Sequence, residues 1–474
     1  FVPFYSRSMV YTMPEFLERR YNPQSRTILS VISLVSYVLT KVAVTVYAGG
    51  LVFQQVFGIK ELWGIDFFWI AAIGLVVLTA LYTIFGGMKS VLYTSVLQTP
   101  ILLLGSLIIL VLGFKELGGW DEMMRVCGAV TVNDYGDTMT NLIRSNDDAN
   151  FPWLGALIGS AIIGFWYWCT DQFIVQRVLS GKNEMEARRG TIFGAYLKLL
   201  PVFLFLIPGM IAFALHQKYI GAGGEGFLPM LENGTANADA AFPTLVAKLL
   251  PAGVKGLVVC GILAALMSSL ASLFNSSAML FTIDFYKRFR PQTSEKKLVG
   301  IGQVATVVIV ILGILWIPIM RSVGDVLYTY LQDVQSVLAP GIAAAFLLGI
   351  CWKRTSAQGG MWGLISGMVI GLTRLGAKVY YSNAGEVADS TFKYLFYDMN
   401  WLFFCGWMFL FCIIVVIVVS LATEAPTAEK IQGLVFGTAT KEQKASTRAS
   451  WNHWDIIHTV IILAITGAFY WYFW

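Results

Sequence analysis

The stretch FWYWCTDQFIVQR, residues 165–177, ends with an aspartate, two glutamines and an arginine within seven residues. It follows an apolar run that starts near Pro152. Trp168, Gln172 and Gln176 recur at i, i+4 and i+8. A continuous helix would therefore carry an indole ring and two amides on one face. Such a face suits stacking on, and hydrogen bonding to, a small polar ligand.

The two ends of this stretch admit different roles. Tyr167 lies roughly 23 Å from Pro152 along a helix, which is past the middle of a bilayer. Tyr167 and Trp168 could therefore line an internal cavity. For Asp171 and Arg177 an alternative stays open, because both could form the polar end of a membrane span where it meets the cytosol.

Two further groups of polar side chains lie at membrane depth. Lys198 stands about ten residues, or roughly 15 Å, from the basic residue Arg189. Its amine would need a buried partner or a wet cavity, and a structural ion pair is the alternative. Gln332 and Gln335 precede the helix-breaking pair Pro340-Gly341. Transporters use breaks of this kind near substrate sites, but a structural role is equally compatible with the pattern.

The segment ALMSSLASLFNSS is rich in hydroxyl groups. Ser268, Ser272 and Ser276 recur at i, i+4 and i+8, with Ser269 and Asn275 beside them. Hydroxyl and backbone carbonyl oxygens are suitable ligands for a dehydrated monovalent cation. Small residues also let membrane helices pack closely, which is the commoner reason for such a pattern. Spacing alone does not decide between these roles.

The composition indicates which kind of secondary structure must position these polar side chains. The chain has 474 residues, of which 57% are hydrophobic and only 13% charged. Apolar runs of about 20 residues recur throughout, and each can cross a hydrocarbon core of about 30 Å. The sequence therefore predicts an all-α polytopic membrane protein. Its six cysteines and three histidines are too scattered for a disulfide framework or a zinc site.

Other functional classes lack their sequence signals. A net charge of +5 without a basic run gives no indication of nucleic-acid binding. The sequence holds no H-E-x-x-H, G-x-S-x-G or P-loop motif, which argues against hydrolase or ATPase chemistry. We therefore expect no enzyme activity and no organic cofactor. The sequence does not indicate an oligomeric state.

Hydropathy predicts about eleven membrane spans, and Pro201 and Pro208 predict kinks in the fifth. The predicted spans are 26–56, 66–86, 90–114, 152–178, 189–215, 253–286, 297–322, 326–351, 357–379, 399–422 and 455–474. Lys and Arg cluster in alternate loops, and acidic residues predominate in loops 115–151, 216–243 and 380–398. By the positive-inside rule, residue 1 starts in the cytoplasm and Trp474 ends outside, in a cell membrane.

The four polar groups together resemble one known family. The chain is similar to the sodium/glucose cotransporters of the sodium:solute symporter family, and its outer loops resemble those of bacterial members. The motifs that carry this resemblance are YTMPEFLERRYN, YTIFGG, WYWCTDQFIVQR, GAYLKLLP, FPTLVAKLLPAGVKGL, LMSSLASLFNSSAMLFTIDFY and LAPGIAAAFLLGICWKR. They run in the expected order from residue 10 to about 355.

The resemblance implies a fold, an activity and a set of site residues. The fold would be two inverted five-helix repeats with extra peripheral helices, and the activity sodium-driven sugar uptake by alternating access. The family's sodium ligands fall on the backbone carbonyl of Ala265 and the hydroxyls of Ser268 and Ser269. Sodium would be the coupling ion and the only metal. The inner aromatic gate falls on Tyr167. The sugar contacts fall on Tyr37, Trp168, Lys198 and Gln332.

The resemblance also implies a division of the chain. Residues 1–25 would hold the end of a truncated span and a cytoplasmic amphipathic helix, residues 26–379 the transporter core, and residues 380–474 peripheral spans. The family's first helices would precede this sequence, so that the chain would supply half of each site. Gly164 stands where relatives carry a polar sugar-side residue.

Several alternatives share these residues. A symporter of the same fold could carry a polyol, an organic anion or an amino acid. A sodium- or sugar-gated channel, or a sugar sensor that does not transport, would use the same side chains. An integral-membrane enzyme is the third alternative. Net accumulation of an unchanged solute separates a symporter from the channel, the sensor and the enzyme.

Overall fold

The structure is a computed structural model that describes residues 1–8, 10–231, 234–323, 326–384 and 388–473, with the side chains of 7, 82, 84–91, 94 and 321–323 left aside. Helices dominate it, because a chain in lipid must satisfy its backbone groups internally. The helices are α1 Val2–Ser8, α2 Met13–Arg20, α3 Pro23–Ser36, α4 Ala43–Phe57, α5 Phe67–Leu117, α6 Trp120–Gly128, α7 Trp153–Phe165, α8 Gln172–Leu179, α9 Glu184–Pro201, α10 Ile207–Gly221, α11 Ala241–Leu249, α12 Ala252–Met279, α13 Lys287–Phe289, α14 Glu295–Val323, α15 Leu327–Cys351, α16 Ala357–Asn383, α17 Thr391–Lys393, α18 Trp401–Ala422, α19 Ala428–Ile431, α20 Lys441–Ala449 and α21 His453–Tyr472.

Shorter elements connect or continue these helices. Two strands, β1 Glu61–Leu62 and β2 Ile65–Asp66, form an antiparallel hairpin. One 3₁₀ turn covers Ala238–Ala240. Five segments are π-helical, namely Tyr37–Val42, Trp166–Thr170, Val202–Leu206, Leu280–Tyr286 and Tyr394–Asp398. A π-helical turn shifts the backbone hydrogen bonds by one residue and is frequent at functional sites.

Nine helical stretches within the described residues are long and apolar enough to cross a membrane. Two of the eleven predicted spans are not among these nine. The predicted spans 66–86 and 90–114 both lie in α5, whose 51 residues extend about 76 Å. Its later part, Ser95–Leu117, is one of the nine, whereas its earlier part, Phe67–Leu81, is a shorter apolar helix. The predicted span 357–379 is helical as part of α16, but it does not belong to the nine apolar stretches.

The helices form two compact units. The first contains Phe1–Thr40, Asn146–Gly194 and Ser276–Leu463. The second contains Lys41–Ser145, Ala195–Asn275 and Ala464–Trp474. Both units are assembled from segments that are distant in sequence, so each depends on long-range helix packing.

The first unit is built around α15, which packs against α7, α16 and α18. Small residues permit the close contact between α15 and α16. A Cβ atom on Gly341 would lie 2.9 Å from the Cα of Gly367, so a larger residue would push the two helices apart. This tight packing makes α15 a rigid support for the polar side chains at its beginning.

The second unit is built around α5, which packs against α4, α10 and α11. Its core is aliphatic and includes Ile109, Ile211, Leu215 and Leu245, each fully buried. The serine-rich helix α12 begins in this unit and ends in the first.

Candidate functional site

The stretch 165–177 is broken at Asp171. Helix α7 ends at Phe165, the π-helical segment Trp166–Thr170 follows, and Asp171 is extended, with φ −78° and ψ 122°. A new helix, α8, begins at Gln172, and the Asp171 carboxylate caps it by accepting from the Phe173 amide at 3.1 Å. An aspartate is a favourable N-cap, so the break is encoded locally.

This break corrects two sequence-based predictions. The predicted span 152–178 is not continuous, and Trp168 therefore does not share one helical face with Gln172 and Gln176. Periodicity failed here because a period of 3.6 residues applies only while the α-helix continues.

Tyr37 holds the break in place. It opens the π-helical segment Tyr37–Val42 and is only 1% exposed. Its hydroxyl donates to the Asp171 carboxylate at 3.0 Å and accepts from the Phe173 amide at 3.1 Å. The structure thus places Tyr37 beside the predicted gate segment, with its hydroxyl engaged by protein groups. Its contact with a sugar stays a prediction.

Gln172 anchors the segment that leads into α2. The buried Gln172 side chain accepts from the Met13 amide at 2.8 Å and donates to the Tyr11 carbonyl at 3.2 Å. Asp171 and Gln172 therefore support this part of the first unit through their hydrogen bonds. Their buried positions explain why a segment suited to lipid carries these polar groups.

Trp168 and Tyr167 form an aromatic pair on the π-helical segment. Their ring centroids lie 5.3 Å apart at an interplanar angle of 90°, an edge-to-face contact. Tyr167 packs against the buried core of the first unit, whereas Trp168 is 50% exposed. The pair thus presents one fixed indole surface to its surroundings, and such a surface can stack on the apolar face of a ring-shaped solute.

Gln332 lies near the beginning of α15. Its amide donates to the Tyr328 hydroxyl at 2.8 Å, and its side chain is partly exposed. Helix α15 packs against the π-helical segment that carries Trp168. The first unit therefore brings together the two elements that carry Trp168 and Gln332.

Sequence reasoning missed an ion-pair cluster beside Gln332. The Asp333 carboxylate pairs with the Lys378 amine and lies 3.7 Å from the Arg374 guanidinium, both on α16. Asp333 is buried and Arg374 is fully buried. The available signal was an aspartate within one predicted span and two cations at i, i+4 within the next, since charges in spans face inward and pair.

Ser268, Ser269 and Ser272 lie in the second unit. Ser268 is 8% exposed, and its hydroxyl lies 2.6 Å from the hydroxyl of Ser95 on α5. The Ser272 hydroxyl donates to the Ser268 backbone carbonyl at 3.0 Å. Ser269 is exposed and Ala265 is partly exposed. The predicted sodium ligands thus lie within about one turn of α12, where they supply uncharged oxygen atoms.

Lys198 also belongs to the second unit, where it lies near the end of α9 with an exposed side chain. Pro201 follows it within α9, and the π-helical segment Val202–Leu206 begins at the next residue. The predicted kink at Pro201 therefore coincides with a change of helix type. The role of Lys198 in binding a solute stays a prediction.

Secondary transporters are typically built from apolar helices that are interrupted next to buried polar groups. A sequence model of the sodium:solute symporter family matches residues 1–367, and the chain belongs to this family. This membership confirms the predicted family and the prediction that the chain is a transporter rather than an enzyme.

Three relatives illustrate the similarity. The chain is 36% identical over 501 residues to a sodium/mannose cotransporter of Bos taurus, covering 100% of this chain and 82% of that relative. It is 36% identical over 450 residues to sodium/myo-inositol cotransporter 2 of Homo sapiens, covering 92% and 66%. It is 37% identical over 452 residues to sodium/glucose cotransporter 1 of Ovis aries, covering 90% and 65%. The chain thus spans about two thirds of the latter two proteins.

A solved structure shares the fold. It is a Na+-coupled sialic acid symporter in a substrate-bound outward-open state, with a TM-score of 0.67 and 21% sequence identity. The match covers 90% of this chain and 80% of that one. It confirms the predicted fold class, an all-helical membrane protein with an inverted-repeat transporter core.

Proposed function

We propose that this protein uses the inward sodium gradient to accumulate a hexose such as glucose or galactose by alternating access, in a cell membrane with its C-terminus outside. The observation that carries the proposal is the half-exposed indole of Trp168, held edge-to-face by Tyr167 on a π-helical break. Tyr167 would form the inner gate beneath the bound sugar. The relatives include mannose, myo-inositol and glucose cotransporters, which supports an uncharged polyhydroxyl cargo.

The side chains proposed to contact the sugar are chemically complementary to a pyranose. A pyranose has an apolar face that stacks on an indole and hydroxyl groups that exchange hydrogen bonds with amides and amines. Trp168 supplies the stacking surface. Gln332, Lys198 and Tyr37 supply donors and acceptors. A neutral solute also avoids the cost of desolvating a second charge besides sodium.

The proposed sodium site uses the Ala265 carbonyl and the hydroxyls of Ser268 and Ser269. Such oxygens replace the hydration shell of a monovalent cation without adding formal charge. Sodium bound on α12 would stabilise one conformation of that helix, and differential binding to two conformations is what couples an ion to a cargo.

A polyol is the second candidate cargo. It is favoured by the match to sodium/myo-inositol cotransporter 2, since myo-inositol is also a ring with an apolar face and several hydroxyls. The same indole surface would serve either solute, so the geometry does not separate them.

Transport in reconstituted vesicles tests the proposal. Proteoliposomes should accumulate radiolabelled glucose or galactose above the outside concentration when sodium is outside, and should not when choline replaces it. Mannose and myo-inositol form parallel arms that compare the candidate cargoes. Equal uptake with and without sodium, or uptake that only reaches equilibrium, would contradict a symporter and would favour a channel.

A further inference from the structure

The ion-pair cluster around Asp333 connects two helices at the predicted outer end of the first unit. Asp333 lies six residues after the start of α15, or about 9 Å along the helix. Its carboxylate pairs with Lys378 and lies 3.7 Å from Arg374, and both cations are on α16. Because α15 and α16 run antiparallel here, this cluster fixes the beginning of one helix to the end of the other.

Arg374 has further partners of its own. Its guanidinium donates to the Leu395 carbonyl at 3.3 Å and to the Met399 carbonyl at 2.7 Å, and it lies 4.1 Å from the ring centroid of Phe404. Leu395 lies within the π-helical segment Tyr394–Asp398 and Met399 follows it directly. Carbonyl oxygens near the end of a helix attract a cation. Carbonyl groups thus offset much of the Arg374 charge, and Lys378 is the main partner of Asp333.

Asp333 directly follows Gln332 in α15, so the ion-pair cluster holds the residue next to a proposed solute contact. Successive residues of an α-helix point about 100° apart, so a fixed Asp333 side chain also fixes the rotation of α15 about its own axis. The direction of the Gln332 amide depends on that rotation. Hydrogen-bonding groups in a binding site need support of this kind, since an error of about 1 Å weakens the contact.

We propose that Asp333, held by Lys378, is the positioning residue for Gln332 in the solute site. This inference rests on the proposed function and adds a determinant of solute affinity. Asp333 does not contact the solute; it acts by orienting the neighbouring amide. A purely structural ion pair would instead affect the stability of the fold and leave solute affinity unchanged.

The test is a set of variants in proteoliposomes. Asp333→Asn and Lys378→Gln should each raise the solute concentration for half-maximal uptake about threefold to tenfold. The sodium concentration for half-maximal uptake should change less than about twofold. The double variant should resemble the single variants, because both changes break the same pair. Asp333→Glu keeps the charge and should show a smaller rise.

Dependence on Gln332 distinguishes positioning from stability. In a Gln332→Ala background, Asp333→Asn should produce no further rise in the solute half-saturation concentration. The matched control is Asp389→Asn. This change breaks an ion pair in which the Asp389 carboxylate lies 2.8 Å from the Lys393 amine, and the Asp389 side chain is 95% exposed. The control should change neither half-saturation concentration. Thermal unfolding of each purified variant verifies that it is folded.

The experiments distinguish a failure of this inference from a failure of the proposed function. Folded Asp333→Asn and Lys378→Gln variants with normal solute half-saturation would overturn the inference, as would an undiminished effect in the Gln332→Ala background. If the wild type accumulates no sugar, the proposed function fails. The solute is then found by sodium-dependent shifts in unfolding temperature with a polyol, an organic anion and an amino acid, and the same variants are titrated with it. A wild type that responds to none of these solutes overturns both proposals.

Discussion

At the scale of single residues, the serine pair on α12 makes the sodium proposal testable. Ser268→Ala or Ser269→Ala removes one oxygen ligand. We expect either change to raise the sodium concentration for half-maximal uptake about 2- to 13-fold, the equivalent of about 0.5–1.5 kcal/mol. Sodium titrations of radiolabelled uptake measure it.

The control for the serine pair is Ser106→Ala. Ser106 is a buried serine on α5 whose hydroxyl donates to the carbonyl of Leu102 in its own helix, at 2.9 Å. This change should leave the sodium titration unaltered. An unaltered titration in both Ser268→Ala and Ser269→Ala would remove this pair from the sodium site.

The hydrogen-bonding residues Gln332 and Lys198 yield a second prediction at this scale. Gln332→Ala and Lys198→Ala should each raise the sugar concentration for half-maximal uptake about 2- to 13-fold, because each loses one hydrogen bond to a neutral ligand. Sugar titrations at saturating sodium measure the change. Normal sugar titrations in both variants would mean that the solute cavity lies elsewhere.

At the scale of elements, the junction between the π-helical segment Trp166–Thr170 and α8 depends on Asp171. Asp171→Ala removes the N-cap of α8, at a cost of about 0.5–2 kcal/mol. It also removes the acceptor of the buried Tyr37 hydroxyl, which adds about 1–3 kcal/mol. We therefore expect a clearly lower unfolding temperature in detergent, and a smaller loss for Asp171→Asn, which retains a capping oxygen.

An exposed cap of the same type is the comparison for Asp171. Asp66 caps α5 by accepting from the Phe68 amide at 2.9 Å, but its side chain is exposed. Asp66→Ala should lower the unfolding temperature less than Asp171→Ala, since no buried hydroxyl loses a partner. Equal unfolding temperatures for Asp171→Ala and the wild type would show that the junction does not depend on its cap.

At the scale of the whole molecule, the ratio of sodium to solute is the property to predict. By the resemblance to the sodium/glucose cotransporters, a second sodium would use an aspartate in a YTDxxQ motif and a threonine two residues after the serine pair. This chain has Ser95 and Ala271 at those positions, and Ala271 is fully buried. A second cation would lack both a carboxylate and a hydroxyl ligand, and its desolvation would be unfavourable.

We therefore expect one sodium per sugar. Dual-isotope flux in proteoliposomes measures the ratio directly, and a reversal potential gives an independent value. A ratio near two would mean that other oxygens, such as the Ser272 hydroxyl, complete a second site. The short contact between Ser95 and Ser268 would then place that site beside the first one.

The fold class follows from local features of the sequence. Apolar runs near 20 residues must become helices in lipid, because no water is present to satisfy the backbone groups. The family is likewise visible in motifs that keep their order along the chain, and the family match over residues 1–367 agrees with them. Periodicity also located the serine face of α12, because that helix is continuous from Ala252 to Met279.

The arrangement of the polar groups could not be read from local patterns. The Asp171 carboxylate accepts from the hydroxyl of Tyr37, which is 134 residues away, and Asp333 pairs with Lys378, which lies 45 residues later. The sequence shows that these charges and hydroxyls lie within spans and need partners, since an unpaired polar group in hydrocarbon is costly. It does not show which partner each one has, because helix packing chooses among several candidates of similar chemistry. Hydropathy is a property of a single helix, whereas the partner of each polar group depends on which helices come into contact.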